Sequence, residues 1–180
     1  RIPMFVWSMI TTAAMVLLAT PVLTAALFML IADRNFSTQF FTTANARLWQ
    51  HMFWFYSHPA VYIMVLPAMG IVSEVLPVFS RKPIFGYKAI AYSTAAIGLL
   101  GFLVWAHHMF TTGLSPVLKT FFMAATMTIA VPTGVKIFNW LATLWGGRLR
   151  FDTPLLFTFG FLSMFVIGGI SGVFNAVVPI

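Results

Sequence analysis

Long apolar runs separated by short polar connections dominate the chain. A membrane-spanning helix needs about 20 consecutive apolar residues, and five segments meet this length: 3–31, 49–79, 85–112, 115–145 and 154–180. Each segment exceeds the minimum, which tilt or an overhang into the interface accommodates. The strict alternation of apolar and polar residues that is typical of a transmembrane β-barrel is missing. The pattern therefore predicts an all-α, polytopic transmembrane helix bundle with five spans.

The composition excludes a soluble globular domain and several kinds of chemistry. Apolar residues make up 61% of the chain and charged residues 7%, whereas an ordinary soluble domain is about 25% charged. Cysteine is absent, which excludes disulfides, zinc ribbons, iron–sulfur clusters and thiol catalysis. The four histidines are therefore the strong nitrogen ligands that the chain can offer to a metal.

The net charge of +7 is distributed between the apolar runs and forms no basic stripe. We therefore expect membrane lipid, and no nucleic acid, as its partner. With five spans the loops alternate sides, which sets Arg1, Arg81, Lys82, Lys88, Arg148 and Arg150 against Arg34, Arg47 and Lys119. The excess of positive charge predicts that the first group faces the cytoplasm. We expect the location to be a bacterial inner (plasma) membrane.

The two ends of the sequence suggest a larger protein. The chain starts at Arg1 rather than at an initiator methionine, and it stops at Ile180 in or beside an apolar run. We therefore expect the sequence to be a piece of a larger multi-span subunit.

Several ionisable side chains fall within the predicted spans, where charge is costly and often marks a functional site. His58 and Tyr62 are four residues apart on the second span and therefore share a helix face. His107 and His108 are adjacent near the end of the third span, and the helical rise places all three imidazoles within roughly 8 Å of one depth. Three converging imidazoles suit copper, zinc or iron. His51 is more simply interpreted as an interfacial or core side chain.

Geometry restricts how the adjacent histidine pair can bind. Neighbouring residues of a regular α-helix point about 100° apart, so both rings can share one ion only at a distorted turn. The spacing thus predicts a metal site and leaves its chemistry open.

Lys136 lies on the fourth span, about nine residues from the predicted inner end. A lysine removed from water can load and release a proton, and the alternative is an ammonium that snorkels to the interface. Thr126 and Thr133 lie on a similar face of the same span, while Ser73 and Glu74 occupy the inner end of the second span. Glu74 is either the entrance to a proton path or a plain interfacial charge.

Three sequence strings in order carry a resemblance to a known family. They are FWFYSHPAVYIMVLP around His58, GFLVWAHHMFTTG around the histidine pair and AVPTGVKIFNWLATLWGG around Lys136. Together they closely resemble subunit I of the haem–copper oxygen reductases, and among these the cytochrome c oxidases. The resemblance covers nearly the whole chain, at what would be the fifth to ninth helices of that twelve-helix subunit.

The resemblance implies a set of roles at the centre of the chain. His58, His107 and His108 would ligate the active-site copper opposite a high-spin haem. Tyr62 would be linked covalently to the His58 ring and would donate an electron and a proton when the oxygen–oxygen bond breaks. The iron ligands of the low-spin and high-spin haems would lie on helices outside this segment.

The resemblance also implies a proton path in which Lys136, Thr133 and Ser73 lead toward Tyr62. The segment alone should not turn over. As part of its subunit it would reduce O₂ to water with electrons from cytochrome c and move protons outward. The implied partners are other oxidase subunits, including the one with the copper site through which electrons enter, and cytochrome c.

One position departs from the commonest family pattern. Where that pattern has a glutamate two residues after the first histidine, this chain has Ala60, and YSHPAVY resembles the family variant that lacks the glutamate. Tyr56 and Ser57 lie four and three residues earlier on the same helix face. We expect their hydroxyls to pass protons there with ordered water. The alternative is that backbone carbonyls satisfy both hydroxyls.

Other functions stay open at this stage. A quinol oxidase of the same superfamily would keep every motif above, whereas a nitric oxide reductase would not need the spacing between His58 and Tyr62. In a different class, a polytopic transporter could carry His and Lys at membrane depth. Such transporters usually show inverted repeats, and the sequence has no matching halves.

Overall fold

Long helices account for most of the chain. The structure is a computed structural model that describes residues 1–42 and 45–177, so the last predicted span residues, 178–180, lie outside the described part. The helices are α1 (Met4–Asn35), α2 (Ala46–Ser80), α3 (Tyr87–Leu100), α4 (Pro116–Leu144) and α5 (Thr153–Ala176). Two 3-10 segments, Gly101–Leu103 and Trp105–Met109, continue α3. The described residues contain no strand, and the predicted all-α fold class is confirmed.

All five predicted spans are present, with shifted boundaries. The segments long and apolar enough to cross a membrane are the four helices α1, α2, α4 and α5, together with Tyr87–Met109. α1 continues past Ile31 to Asn35, and α2 begins at Ala46 rather than at residue 49. Both helices therefore continue into polar residues beyond the ends of their apolar runs.

Small residues allow α1 and α2 to pack closely along each other. Gly70 of α2 faces Ser8 of α1, and a Cβ added at Gly70 would lie 2.7 Å from the Ser8 Oγ and 3.0 Å from the Phe5 Cα. Close backbone approach at small residues is how helices associate within lipid, where no hydrophobic effect drives them together. This contact fixes α1 against the helix that carries His58.

The connection between α4 and α5 is fastened to neighbouring helix ends. The backbone N–H groups of Arg148 and Arg150 donate to carbonyls at the end of α2. The Lys82 ammonium donates to the Ala142 carbonyl at 3.2 Å and also to the Trp145 carbonyl. A cation is favourable there because the C-terminal end of a helix carries partial negative charge. The end of the bundle that is predicted to face inward is thereby tied together.

The interior and the outer surface are both apolar. Large apolar side chains are exposed along the helices, among them Leu17, Met64, Leu99, Phe138 and Phe157. Fully buried side chains between α2, α3, α4 and α5 include Leu66, Leu76, Ile90, Trp140 and Leu155. Exposed apolar surface of this extent is stable when the surrounding solvent is lipid.

Candidate metal centre

α2 presents His58 and Tyr62 from one face. His58 is buried, and the centroids of the two rings lie 4.7 Å apart with planes at 64°. Pro59 follows His58 inside the helix and removes one backbone donor. The four-residue spacing therefore places an imidazole and a phenol side by side.

The adjacent pair lies on a distorted turn, as its chemistry requires. The α-helical part of the third span ends at Leu100, and Val104, with φ −120° and ψ 0°, breaks the backbone before the 3-10 segment Trp105–Met109. We call this segment the histidine turn. The rings of His107 and His108 lie 4.3 Å apart between centroids.

Three ring nitrogens converge between α2 and the histidine turn. The His58 Nδ1 lies 3.0 Å from the His108 Nε2, which lies 3.1 Å from the His107 Nε2. One ligand atom from each residue lies within 4.8 Å of the others. We call these three residues the histidine triad. Nitrogens bound at about 2.0–2.1 Å to one ion, at angles of about 90–109°, are about 2.9–3.4 Å apart. The two separations from the His108 Nε2 match this range.

Hydrogen bonding within the triad cannot satisfy all three nitrogens. The His108 Nε2 faces two other ring nitrogens, and a ring nitrogen offers either one proton or one lone pair. An ion that accepts three lone pairs resolves this conflict, and imidazole suits copper, zinc and iron. The donor set therefore fits a metal.

Thr126 of α4 sets which nitrogen of His107 is available. The Thr126 hydroxyl donates its one proton to the Phe122 carbonyl at 2.6 Å. Its oxygen also lies 2.9 Å from the His107 Nδ1, so it can only accept the proton of that nitrogen. This arrangement fixes the Nδ1–H tautomer and leaves the Nε2 lone pair directed at the triad. The sequence gives no signal for this contact, because the two residues lie on different elements.

Two tryptophans hold the histidine turn against the start of α2. The Trp54 ring stacks on the His108 ring, with centroids 3.9 Å apart and planes at 9°, and its indole N–H donates to the Gln50 side chain. The Trp105 indole N–H donates to the His51 Nδ1 at 3.2 Å. His51 therefore anchors the turn from outside the triad.

The Tyr62 ring packs so closely against Gly101 that a side chain at position 101 would displace it. A Cβ added at Gly101 would lie 2.9 Å from the Tyr62 Cδ2 and 3.2 Å from its Cε2. The neighbouring His58 has a buried Nε2 that finds no hydrogen-bond partner within the described part of the chain. Such an orphaned atom is costly unless something else satisfies it.

Lys136 is buried inside the bundle and does not snorkel, which rules out that alternative. It is 1% exposed, and its ammonium donates to the Thr94 Oγ1 on α3 at 2.8 Å. The same ammonium lies 5.8 Å from the centroid of the Trp140 ring. The Trp140 indole N–H in turn donates to the Ser73 Oγ at 2.9 Å. We call these four residues the lysine cluster.

The structure gathers some of the predicted proton-path residues and separates others. Tyr62, Thr126 and Thr133 line one cavity of about 430 Å³ whose other walls are mainly apolar side chains of α4 and α5. We call it the phenol cavity. Ser73 is connected to Lys136 through Trp140, whose indole N–H donates to Ser73 and whose ring faces the ammonium. Glu74 is exposed and accepts a hydrogen bond from the Phe5 N–H at 3.2 Å.

Tyr56 and Ser57 are half-buried and immediately precede His58 on α2. Many helix hydroxyls here donate to the carbonyl four residues earlier, as Thr133 does to Ile129 at 2.9 Å. Among the described residues, neither Tyr56 nor Ser57 makes a side-chain hydrogen bond of this kind. Both hydroxyls therefore remain available for water.

The whole chain is similar to one known family and to several curated proteins. The family described as cytochrome c and quinol oxidase polypeptide I matches residues 1–180. A cytochrome c oxidase subunit 1 of Synechocystis sp. is 57% identical over 98% of the chain and 33% of the relative. Relatives of the same name from Thermostichus vulcanus and Cereibacter sphaeroides are each 54% identical, over 100% and 96% of the chain and 33% and 31% of the relatives.

The chain spans about a third of the length of the curated relatives it matches. Its five apolar helices and these relatives make it part of an integral membrane protein. The family consists of haem–copper oxidases, so haem and copper are the cofactors of the group. The match over the full length of the sequence confirms the resemblance, and the chain belongs to the cytochrome c and quinol oxidase polypeptide I family.

Proposed function

We propose that this chain forms the copper-binding part of a terminal respiratory oxidase, which reduces O₂ to water with electrons from cytochrome c and moves protons across the membrane. The observation that carries the proposal is the convergence of His58, His107 and His108 ligand nitrogens within 4.8 Å. A triad of neutral imidazoles inside an apolar bundle binds copper readily. Copper, together with the haem of the family, supplies the redox chemistry.

The residues around the triad prepare it for that ion. Thr126 holds His107 in the tautomer whose Nε2 is free, and the Trp54 stack fixes the plane of the His108 ring. Both contacts restrict the orientation of a ligand ring, as partners of metal ligands usually do.

Tyr62 is proposed to act as a redox-active phenol bonded to His58. The orphaned His58 Nε2 and the short distance between the rings support this bond. Joining a ring carbon of the phenol to the nitrogen removes two electrons and two protons, which oxygen reduced at the same site takes up. Tyr62 then supplies one electron and one proton when the oxygen–oxygen bond breaks.

Two proton routes are proposed. One leads from Ser73 and Lys136 through Thr133 to Tyr62, supported by the buried ammonium and by the cavity that Thr133 and Tyr62 share. The other passes Tyr56 and Ser57, whose hydroxyls are free of backbone carbonyls in the described structure.

The remaining assignments concern the rest of the oxidase. We propose that the iron ligands of the low-spin and high-spin haems lie outside this segment, since its histidines are engaged elsewhere. Other oxidase subunits, one of them carrying the copper site that receives electrons, and cytochrome c are the proposed partners. The relatives are named cytochrome c oxidase, which favours cytochrome c over a quinol as donor. The relatives from Synechocystis sp., Thermostichus vulcanus and Cereibacter sphaeroides are bacterial, which supports a bacterial plasma membrane as the location.

Copper content tests the proposal. In the intact membrane complex that contains this chain, His58→Ala and His107→Ala should each remove the copper of this site while the haem absorption bands remain. Tyr92→Phe, on the exposed surface of α3, is the control and should keep its copper. Elemental analysis of purified complexes gives the metal count. Unchanged copper in both histidine variants would contradict the proposal.

A further inference from the structure

The lysine cluster contains one contact that the proposed proton path does not assign. The Lys136 ammonium donates to the Thr94 Oγ1 at 2.8 Å, and the Thr94 hydroxyl donates its own proton to the Ile90 carbonyl at 2.8 Å. Because that single proton is already committed, the Thr94 oxygen can face the lysine only as an acceptor. Both side chains are 1% exposed. The contact is therefore a charge-assisted hydrogen bond in a water-poor interior.

Among the described residues, no carboxylate compensates the charge of Lys136. The three acidic residues of the chain engage other groups. Asp33 accepts from the Thr38 hydroxyl and from backbone N–H groups, Glu74 accepts from a backbone N–H, and Asp152 pairs with Arg150. Within the described residues, the ammonium has the Thr94 oxygen and the distant face of the Trp140 ring.

A buried charge with so few partners depends strongly on each of them. Hydrogen bonds to charged groups contribute more than those between neutral groups, and loss of one leaves the full desolvation penalty. The indole face adds a weaker attraction at 5.8 Å. Thr94 is therefore the principal group that stabilises the protonated form of Lys136.

We propose that Thr94 is a positioning residue of the lysine proton path, holding the protonated Lys136 side chain beside α3 until it delivers its proton. This inference rests on the proposed function. The location of the contact supports it, because the phenol cavity is lined by Thr133, Gly134 and Ile137 of α4 but not by Lys136 in the described structure. To reach that cavity the ammonium has to leave Thr94.

The proposal has a defined consequence for the reduction of the enzyme. Electrons that enter a buried centre require protons for charge compensation, and a lysine that is protonated at rest can supply one. Without the Thr94 oxygen the charged form loses its main partner, so Lys136 is neutral more of the time and has no proton to deliver. The first reduction of the oxidised enzyme should then become slower.

Three substitutions in the intact oxidase complex test the contact. Thr94→Val keeps the shape and removes the acceptor, and it should slow anaerobic reduction by about tenfold to hundredfold, the loss expected for a hydrogen bond to a charge. Thr94→Ser keeps the oxygen and should restore the rate to within about twofold of the parent. Thr128→Val removes a hydroxyl with the same backbone bond on the exposed face of α4, and it should have no effect.

Stopped-flow absorption of the haem bands measures the rate, and copper and haem contents verify that each complex has assembled. Thr94→Ala is a second variant without the acceptor in case the valine complex assembles poorly, and it should be equally slow. Normal reduction in the assembled variants that lack the oxygen would overturn the inference, as would a serine variant as slow as valine.

A double variant separates positioning from a general structural effect. In a Lys136→Met background, Thr94→Val should cause no further slowing, because the group on which it acts is gone. If the rate losses of the two single variants multiplied in the double variant, the inference would be overturned.

The single variants separate the inference from the proposed function. If Lys136→Met is slow while Thr94→Val is normal, the Thr94 inference fails and the lysine path survives. If Lys136→Met itself is normal, the lysine path fails together with the inference, whereas absence of haem and copper would refute the proposed function as a whole.

Discussion

The histidine triad and the lysine cluster are both polar groups in an apolar bundle, but they differ in burial and in how they are satisfied. The lysine cluster is buried throughout, whereas the triad runs from the buried His58 to the exposed His108. At the triad, ring nitrogens face one another at 3.0 and 3.1 Å, and one nitrogen of His58 has no partner in the described structure. At the lysine cluster, each hydrogen bond joins a donor to an acceptor, from Lys136 to Thr94 and from Trp140 to Ser73.

This difference indicates that the triad, unlike the lysine cluster, needs a metal ion to satisfy its ring nitrogens. Lone pairs that converge without a proton between them repel each other, and an ion removes the repulsion. The lysine cluster requires no ion, because its hydroxyls already accept from the cation and the indole. We therefore expect the triad to depend on metal and the lysine cluster to depend on its own side chains.

The largest expected effect separates the two sites directly. Lys136→Met removes the buried cation and should slow anaerobic reduction of the oxidised complex by about a hundredfold or more, the range expected for loss of a positioned proton donor. Copper content should stay at the parent level, because Lys136 touches no residue of the triad. Stopped-flow reduction and elemental analysis of the same sample measure both quantities. A fall in copper would show that the two sites are not independent.

The sequence predicts the parts of both sites that depend on local spacing. Five spans follow from the lengths of the apolar runs, and the pairing of His58 with Tyr62 follows from a separation of one helical turn. The need for a distorted turn at the adjacent histidines follows from helix geometry, and the backbone break at Val104 meets it.

Contacts between elements could not be predicted in this way. Thr94 as the partner of Lys136, and Thr126 as the partner of His107, depend on how α3 and α4 are rotated and how deeply they overlap. Hydropathy is nearly uniform around each span, so the apolar pattern does not define one inward face. The sequence therefore predicts a functional role for Lys136 but does not predict which oxygen accepts its hydrogen bond.

A smaller effect is expected from the hydroxyl that orients the triad. Thr126→Val removes the acceptor of the His107 Nδ1 proton and should weaken copper binding by about tenfold to hundredfold, as is usual when a partner of a metal ligand is lost. Thr126→Ser keeps the oxygen and should bind nearly as the parent does. Titration of the purified complex with a copper chelator gives the relative affinities. Equal copper retention in the valine and serine variants would contradict the tautomer assignment.

The smallest effect is expected at the phenol that lies between the two sites. In Gly101→Ala the new Cβ would lie 2.9 Å from the Tyr62 Cδ2, so the phenol must shift, at a cost of about 1–3 kcal/mol for overpacking. The proposed bond between Tyr62 and His58 should then form in a smaller fraction of molecules, while copper and Lys136 stay in place. Mass spectrometry of proteolytic peptides measures the linked fraction.

Gly160→Ala is the matched control, because its added Cβ meets no atom within 4 Å, and it should leave that fraction unchanged. If Gly101→Ala did not lower the linked fraction, the position of the Tyr62 ring would depend on α2 alone and not on its contact with Gly101.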